Sequence, residues 1–318
     1  MGMIVGDQYF GEKSVVSYGE VKHAIEESLV LHGAISIGDY IPWLKPFDVQ
    51  GYEKAMKNVQ RKLDSYLQKL VEKHREIESN KEEDEMDFID VLIAQEKNEA
   101  VSDKDAFQMI LGGTETSSVV LEWALSLLLF HPHALKKAQE ELDSKIERTR
   151  VVDESDIGQL KYLQAIVKET MQLHPPIPLL APHQSIEAYT VGGFHVPTGT
   201  TLMINAWAIQ RDEKVWNNPL EFIPERFMDG GGEREIDNIN NKENDFGMAP
   251  FGAGGRGCPG SSLAMCTMNI TLARLLQAFQ WFVPNGQMID MNEGVGITMP
   301  RKKPLEVVVE PRLPQILY

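Results

Sequence analysis

The sequence predicts a mainly α-helical protein with small β-sheets, and three observations support this fold class. Apolar residues after Tyr52 recur at the spacing of one helix face, at Met56, Val59, Leu63, Tyr66 and Leu70. The period then changes, because short β-rich segments at 189–191 and 194–196 flank a Gly-Gly turn. No internal repeat or clear linker divides the chain, which predicts a single domain over residues 1–318.

The remaining elements follow from local signals along the chain. Further helices are predicted at 102–130, 132–146, 154–173 and 261–279, and further strands at 200–205 and 305–309. Pro132 separates the first two of these helices, because proline cannot continue the preceding helical turn. The charged stretch 76–87 is interpreted as a solvated linker, and the Gly- and Asn-rich stretch 229–246 as a loop.

Composition excludes several classes of protein. The chain has 318 residues, a net charge of −16, 42% hydrophobic and 25% charged residues, which is typical of a soluble globular protein. This acidic balance argues against nucleic-acid binding, which needs a clustered basic surface. Two cysteines, Cys258 and Cys266, do not form a disulfide framework or a zinc motif. The apolar run 119–130 is too short to span a bilayer, and the N-terminus lacks a signal-peptide pattern, so no targeting segment is expected.

The most informative segment is a glycine-rich loop at 251–260 that carries Cys258 just before a predicted helix. Glycines allow tight turns that aim backbone N–H groups at the sulfur. The partial positive charge of the following helix N-terminus favours a thiolate. Arg256 is placed to pair with an anionic group of whatever the sulfur binds.

Three interpretations of this loop compete. Residues 252–257 match the glycine pattern of a dinucleotide-binding loop. However, they follow no predicted strand, and no acidic residue lies about twenty positions downstream, so we reject this interpretation. A buried structural cysteine is the commoner fate of a single Cys, but it leaves the glycines, Arg256 and Phe251 unexplained. The third interpretation is a thiolate ligand to haem iron.

The loop resembles the haem-binding signature of the cytochromes P450, Phe-x-x-Gly-x-Arg-x-Cys-x-Gly. The five fixed positions are occupied by Phe251, Gly254, Arg256, Cys258 and Gly260. The resemblance implies the cytochrome P450 fold and haem b as cofactor, with Cys258 as the metal ligand. It also implies that Arg256 contacts a haem propionate, that Phe251 shields the sulfur, and that Gly260 lets the last helix pass close to the porphyrin. His183 stands where family members place a basic residue toward a propionate.

A second segment, 112–117, resembles the oxygen-activation motif of the family's central helix. The resemblance implies that Glu115 and Thr116 supply protons for catalysis. Two adjacent glycines, Gly112 and Gly113, cost a helix about 1 kcal/mol each relative to alanine. By the same resemblance, a local opening of the helix at these glycines is expected.

A third resemblance concerns a buried ionic network behind the haem. Glu169 and Gln172 stand where the family has Glu-x-x-Arg, and Arg226 lies in a Pro-Glu-Arg-Phe motif. Gln172 replaces the family's arginine and cannot supply a charged bidentate donor. Breaking such a network costs on the order of 3–5 kcal/mol, so weaker haem retention is expected.

The resemblance covers only the C-terminal majority of a family member, so an N-terminally truncated domain without membrane anchor or early helices is expected. The chain resembles plant microsomal members of the family. This resemblance implies a specialised-metabolism monooxygenase that inserts one oxygen atom from O2 into a small lipophilic alkaloid, terpenoid or phenolic. NADPH-cytochrome P450 reductase is the implied partner, and the cytosolic face of the endoplasmic reticulum is the implied location of a full-length homologue. The alternative is a truncated, non-catalytic fragment with weak or no haem binding.

Overall fold

The computed structural model describes residues 18–77, 103–146, 148–228, 247–284 and 288–318. The chain divides into two compact units, Met1–Glu115 and Thr116–Tyr318. The prediction of a single domain therefore stays a prediction, and each unit is described by itself. The predicted loop at 229–246 and most of the predicted linker at 76–87 lie outside the described residues.

The first unit is built on two helices that pack through apolar side chains. Its described elements are α1 (Tyr18–His32), α2 (Ile37–Tyr40), a 3-10 turn (Pro42–Phe47), α3 (Tyr52–Ile77) and the start of α4 (Asp103–Phe130). The small core between α1 and α3 is formed by Ala24, Ile25, Leu31, Val59 and Leu63. The carboxylate of Asp48 caps α3, because its two oxygens accept the backbone N–H groups of Glu53 and Lys54 at 3.1 and 3.0 Å. The periodicity-based prediction of α3 is confirmed.

The second unit contains the rest of α4 and the main hydrophobic core. Its other helices are α5 (Pro132–Lys145), α6 (Lys161–Leu173), α7 (Ala206–Ile209) and α8 (Ser261–Ala278). The core includes fully buried side chains from α4, α5, α6 and α8, among them Leu128, Leu142, Leu163, Ile166, Met171, Met268 and Leu272. The break predicted at Pro132 is confirmed, since Pro132 is the first residue of α5.

The prediction of one helix at 154–173 is wrong, because the segment forms a 3-10 turn (Glu154–Gln159) followed by α6. Asp153 caps the turn, and Leu160 leaves helical geometry at φ −91° and ψ 68°. The N-terminus of α6 is then capped from outside, because the Glu141 carboxylate accepts the N–H groups of Tyr162 and Leu163 at 2.8 and 2.9 Å.

The described strands form three two-stranded antiparallel sheets: β1 (His183–Gln184) with β4 (Thr201–Leu202), β2 (Tyr189–Val191) with β3 (Phe194–Val196), and β5 (Phe279–Phe282) with β6 (Val308–Pro311). The hairpin predicted around the Gly-Gly turn is confirmed. The strand predicted at 200–205 is shorter, because Asn205 caps α7 by accepting the Ala208 N–H at 2.9 Å. The terminal strand predicted at 305–309 lies at Val308–Pro311 instead, where its partner β5 sets the register.

The prediction of a mainly α-helical fold with small sheets is confirmed. Within the described ranges, no single helix is both long and apolar enough to cross a membrane. Gly112–Phe130 and Pro132–Lys145 meet that criterion only as a pair, and the chain bends by 110° between them.

Candidate functional site

The cysteine loop, residues 251–260, leads into α8 and presents Cys258 at the surface of the second unit. The backbone holds this loop closed: the Cys258 N–H donates to the Phe251 carbonyl at 2.9 Å, and the Gly257 N–H donates to the Gly254 carbonyl at 3.0 Å. Between these bonds lies a short 3-10 turn (Gly254–Arg256), and Arg256 is exposed. The sulfur is therefore a solvent-accessible thiol on a locally ordered turn.

The backbone requires glycine at one position of the signature. Gly254 has φ +70°, in the left-handed region that side chains disfavour. At Gly260, a Cβ atom would lie 3.9 Å from the Cys258 sulfur, which is an ordinary van der Waals contact. Gly260 therefore lies directly beside the sulfur at the start of α8.

A buried ion pair joins α6 to the Pro224–Phe227 turn. Glu169 is fully buried, and its carboxylate accepts the Arg226 Nε–H at 2.9 Å and the Ile223 N–H at 2.7 Å. The Arg226 guanidinium also donates to the carbonyls of Asn217 at 2.8 Å and Asn218 at 3.1 Å. Such a pair resists disruption, because losing either partner leaves a buried charge.

Gln172 lies one helical turn after Glu169 and makes different bonds. Its Nε2 donates to the carbonyls of Gln210 and Pro219, the second at 3.0 Å. In return, the Nε2 atom of Gln210 donates to the carbonyls of Met171 at 2.7 Å and Gln172 at 3.1 Å. Both amides are fully buried, and the Oε1 atom of each has no hydrogen-bond partner within the part of the chain that the structure describes. The described surroundings of Gln172 therefore provide carbonyl acceptors for its Nε2 group but no donor for its Oε1 atom.

Trp216 connects this buried region to the cysteine loop. Its indole N–H donates to the Gly247 carbonyl at 3.1 Å, four residues before Phe251. The Trp216 ring also lies 5.9 Å from the Phe227 ring. Sequence reasoning missed both Trp216 and Gln210, because their partners are backbone carbonyls that no sequence motif records.

His174 directly follows α6 and stacks on the fully buried Trp123 with ring centroids 3.7 Å apart. Burial lowers the pKa of His174, although Glu293, whose Oε1 lies 3.5 Å from Nδ1, opposes the shift. Arg211 and Arg301 add to the lowering because they repel a protonated imidazole. Together these surroundings favour the neutral imidazole of His174 over the protonated form.

The remaining predicted site residues occupy other elements. Glu115 and Thr116 are half-buried neighbours in α4, and the boundary between the two units falls between them. The helix continues as an α-helix through Gly112 and Gly113, so the expected opening is not present as a break. His183 is half-buried in β1 and pairs with Leu202. The structure thus joins Glu169 to Arg226 and gives Gln172 separate partners.

Comparison with known proteins gives one family and many relatives. The family model described as Cytochrome P450 matches residues 5–307. The chain is 41% identical to a demethylepipodophyllotoxin synthase of Sinopodophyllum hexandrum over 98% of its own length and 61% of that protein. It is also 41% identical to a xanthotoxin 5-hydroxylase of Arabidopsis thaliana, over 99% of this chain and 63% of that protein. The chain thus spans about three fifths of the length of these relatives.

Solved structures show the same relationship. A zebrafish cytochrome P450 with progesterone aligns with a TM-score of 0.74 and 27% identity, covering 98% of this chain and 68% of that one. A second zebrafish structure, with abiraterone, aligns with a TM-score of 0.74 and 25% identity over the same shares of the two chains.

Proposed function

Because the chain belongs to the cytochrome P450 family, we propose that it is the haem-thiolate part of a monooxygenase. The reaction inserts one atom of O2 into a small lipophilic plant metabolite, such as an alkaloid, terpenoid or phenolic. The names of its relatives, which include a xanthotoxin 5-hydroxylase and a flavonoid 3',5'-hydroxylase, support this substrate class. The main support for this proposal is the exposed Cys258 thiol. It lies in the loop before α8 that matches all five fixed positions of the haem-binding signature.

The residues of the loop fit a haem group. Cys258 is exposed, and Gly260, whose Cβ position would lie 3.9 Å from the sulfur, carries no side chain beside it. We assign Cys258 as the metal ligand, Arg256 and His183 as the basic residues that meet the propionates, and Phe251 and Gly254 as residues that shape the sulfur's surroundings. When bound, haem b supplies the iron at which O2 is activated, and thiolate ligation favours O–O cleavage.

Proton delivery is assigned to two residues of α4. A threonine hydroxyl can both donate and accept a hydrogen bond, and a carboxyl group can take up and release a proton, so Thr116 and Glu115 have the chemistry that proton delivery needs. Their half-buried positions support this role, because each side chain keeps partial access to water.

The proposed partner is an NADPH-dependent cytochrome P450 reductase. Hydroxylation consumes O2, two electrons and two protons, and forms the hydroxylated product and water. NADPH supplies the electrons through the reductase, since neither the substrate nor the chain's own side chains provide them.

We propose the cytosolic face of the endoplasmic reticulum as the location. An exposed apolar segment between α1 and α3 supports contact with lipid, because Tyr40, Trp43 and Phe47 are each about 70% exposed. Co-sedimentation with phospholipid vesicles tests this, with a Trp43→Ser, Phe47→Ser variant as control. Equal sedimentation of both proteins would argue against this segment as the lipid contact.

A carbon-monoxide difference spectrum of the chain reconstituted with haemin tests the function. We expect a strongly red-shifted Soret band that is lost in Cys258→Ser, because serine cannot provide thiolate ligation. Such a band makes product formation with a reductase and O2 the next measurement. A band that survives Cys258→Ser would remove Cys258 as the ligand.

The second candidate function is a non-catalytic chain with weak or no haem binding. Gln172 favours it, because its amide adds no positive charge beside the Glu169–Arg226 pair, and among the described residues its buried Oε1 has no hydrogen-bond partner. Absence of the red-shifted band in the unaltered chain would select this alternative.

A further inference from the structure

Leu180 has a backbone conformation that leucine rarely adopts. Its φ is +52°, in the left-handed region. Among the described residues, the other non-glycine positions with positive φ are Asp48 and Asn218, whose short polar side chains tolerate this region. A buried leucine has no such compensation, and Leu180 is only 8% exposed. The surroundings therefore hold Leu180 in a strained conformation.

Backbone hydrogen bonds on both sides of Leu180 maintain this strain. The Leu180 N–H donates to the Ile177 carbonyl at 3.1 Å and closes a turn. The Ile204 N–H donates to the Leu179 carbonyl at 3.2 Å, and the Trp207 N–H donates to the Pro178 carbonyl at 3.0 Å. The segment between α6 and β1 is therefore tied to the chain around α7.

The strained backbone directs the Leu180 side chain toward the cysteine loop. A side chain at Gly252 would begin 4.0 Å from both Leu180 Cδ1 and Gly257 Cα, so these two groups bound the open side of Gly252. Gly252 itself has φ +70° and donates to the Ala249 carbonyl at 3.1 Å. It forms the corner at which the loop turns toward Cys258.

A displacement of Gly252 is transmitted to Cys258 through the neighbouring residue Phe251. Gly252 follows Phe251, and the Phe251 carbonyl accepts the Cys258 N–H at 2.9 Å. Movement of Gly252 therefore shifts the acceptor that fixes the Cys258 backbone, and the sulfur follows its backbone.

We propose that Leu180 is a positioning residue for Cys258: its side chain fixes the Gly252 corner of the cysteine loop, and its left-handed backbone places the side chain there. The expected effect of Leu180 on haem ligation rests on the proposed function. Its expected effect on the alkylation of the Cys258 thiol does not depend on that function.

The test uses Leu180→Ala, Leu180→Gly and Leu180→Met in the full chain with Cys266→Ser, so that Cys258 is the sole thiol. Alanine removes the side chain and keeps the strain, glycine removes both, and methionine keeps the bulk. Leu179→Ala is the matched control, because Leu179 is exposed and adjacent. Cys258 is already exposed, so the rate of iodoacetamide alkylation of the haem-free protein measures how the loop orients its sulfur.

We expect alkylation to become several-fold faster in Leu180→Ala and Leu180→Gly, and to stay near the unaltered rate in Leu180→Met and Leu179→Ala. Leu180→Gly should also unfold at a higher urea concentration than Leu180→Ala, since glycine relieves the left-handed strain. Should Leu180→Ala fail to fold, Leu180→Gly carries the same comparison. An unchanged or slower alkylation rate in folded Leu180→Gly would overturn the proposal.

Reconstitution with haemin separates this proposal from the proposed function. We expect Leu180→Ala and Leu180→Gly to form a smaller fraction of the red-shifted carbon-monoxide band than Leu180→Met. If the unaltered chain forms no such band, haem-thiolate function fails, while the alkylation rates still decide the role of Leu180.

Discussion

Glu169 and Cys258 lie in regions that are stabilised by different interactions. Glu169 is fully buried on α6, and side-chain bonds to Arg226 and to the Ile223 N–H hold it. Cys258 is exposed, and its loop is held by backbone hydrogen bonds and by glycines with positive φ. Cys258 is thus exposed on a loop that backbone bonds hold, whereas the Glu169 carboxylate depends on a buried cation to offset its charge. Substitutions at the Glu169–Arg226 pair should therefore lower the free energy of unfolding more than substitutions in the loop do.

The largest expected effect is that of Arg226→Met, which leaves the Glu169 carboxylate buried without its cation. We expect the free energy of unfolding to fall by about 3–5 kcal/mol, measured by urea titration. The control is Lys137→Met, because Lys137 pairs at 2.6 Å with the neighbouring Glu225 but both side chains are nearly half exposed. That exposed pair should contribute under about 1 kcal/mol. Equal losses of unfolding free energy in the two variants would show that the buried ion pair contributes no more to stability than the exposed one.

The second prediction concerns Gln172→Arg. A guanidinium has donors only, so it suits the carbonyls of Gln210 and Pro219 and removes the unsatisfied amide oxygen. We expect the free energy of unfolding to rise by about 1–3 kcal/mol and haem occupancy at limiting haemin to increase. Gln172→Met, which lacks donors, should lower both quantities. Equal occupancy in the unaltered and arginine proteins would contradict the idea that Gln172 weakens haem retention.

The third prediction compares two glycines of the cysteine loop. Gly252→Ala places a side chain at φ +70°, which should lower the free energy of unfolding by about 1–2 kcal/mol. Gly255→Ala is the matched control, because Gly255 lacks positive φ and has open space around its Cβ position, so its effect should stay within about 0.5 kcal/mol. Urea titration measures both, and a larger loss at Gly255 would mean that strain at Gly252 does not define the loop.

The smallest expected effect is the pH dependence contributed by His174. Its folded-state pKa lies below the ordinary value of 6.5, so the unfolded chain binds more protons. The stability contributed by neutral His174 is thus fully present above pH 6.5 and is lost as the pH falls through 6.5 toward the folded-state pKa. His174→Phe keeps a ring on Trp123 without titrating.

Urea midpoints at about pH 7.5 and about pH 5.5 check this, since they lie on either side of the ordinary histidine pKa. The unaltered protein should lose more stability between these conditions than His174→Phe. Identical losses would show that His174 titrates alike in the folded and unfolded chains.

Much of the fold follows from local sequence signals. Apolar spacing predicts α3 and α8 because each helix buries one face, and Pro132 marks the start of α5 because it cannot continue α4. The 154–173 segment could not be predicted correctly, because its apolar pattern continues through Leu160. Its division depends on a cap from Glu141, a residue of another helix. The short β1 strand gives no alternating pattern, and its pairing with β4 decides its structure.

Residue types at fixed spacing identify the family signature around Cys258 and point to Glu169, Gln172 and Arg226. The partners of these side chains become visible in the folded chain, where Glu169 bonds Arg226 and Gln172 bonds the carbonyls of Gln210 and Pro219. The tertiary structure alone revealed the strained Leu180 beside Gly252. The physical reason is that spacing and side-chain chemistry are local properties, whereas backbone carbonyls and strained torsions acquire partners only when distant segments meet.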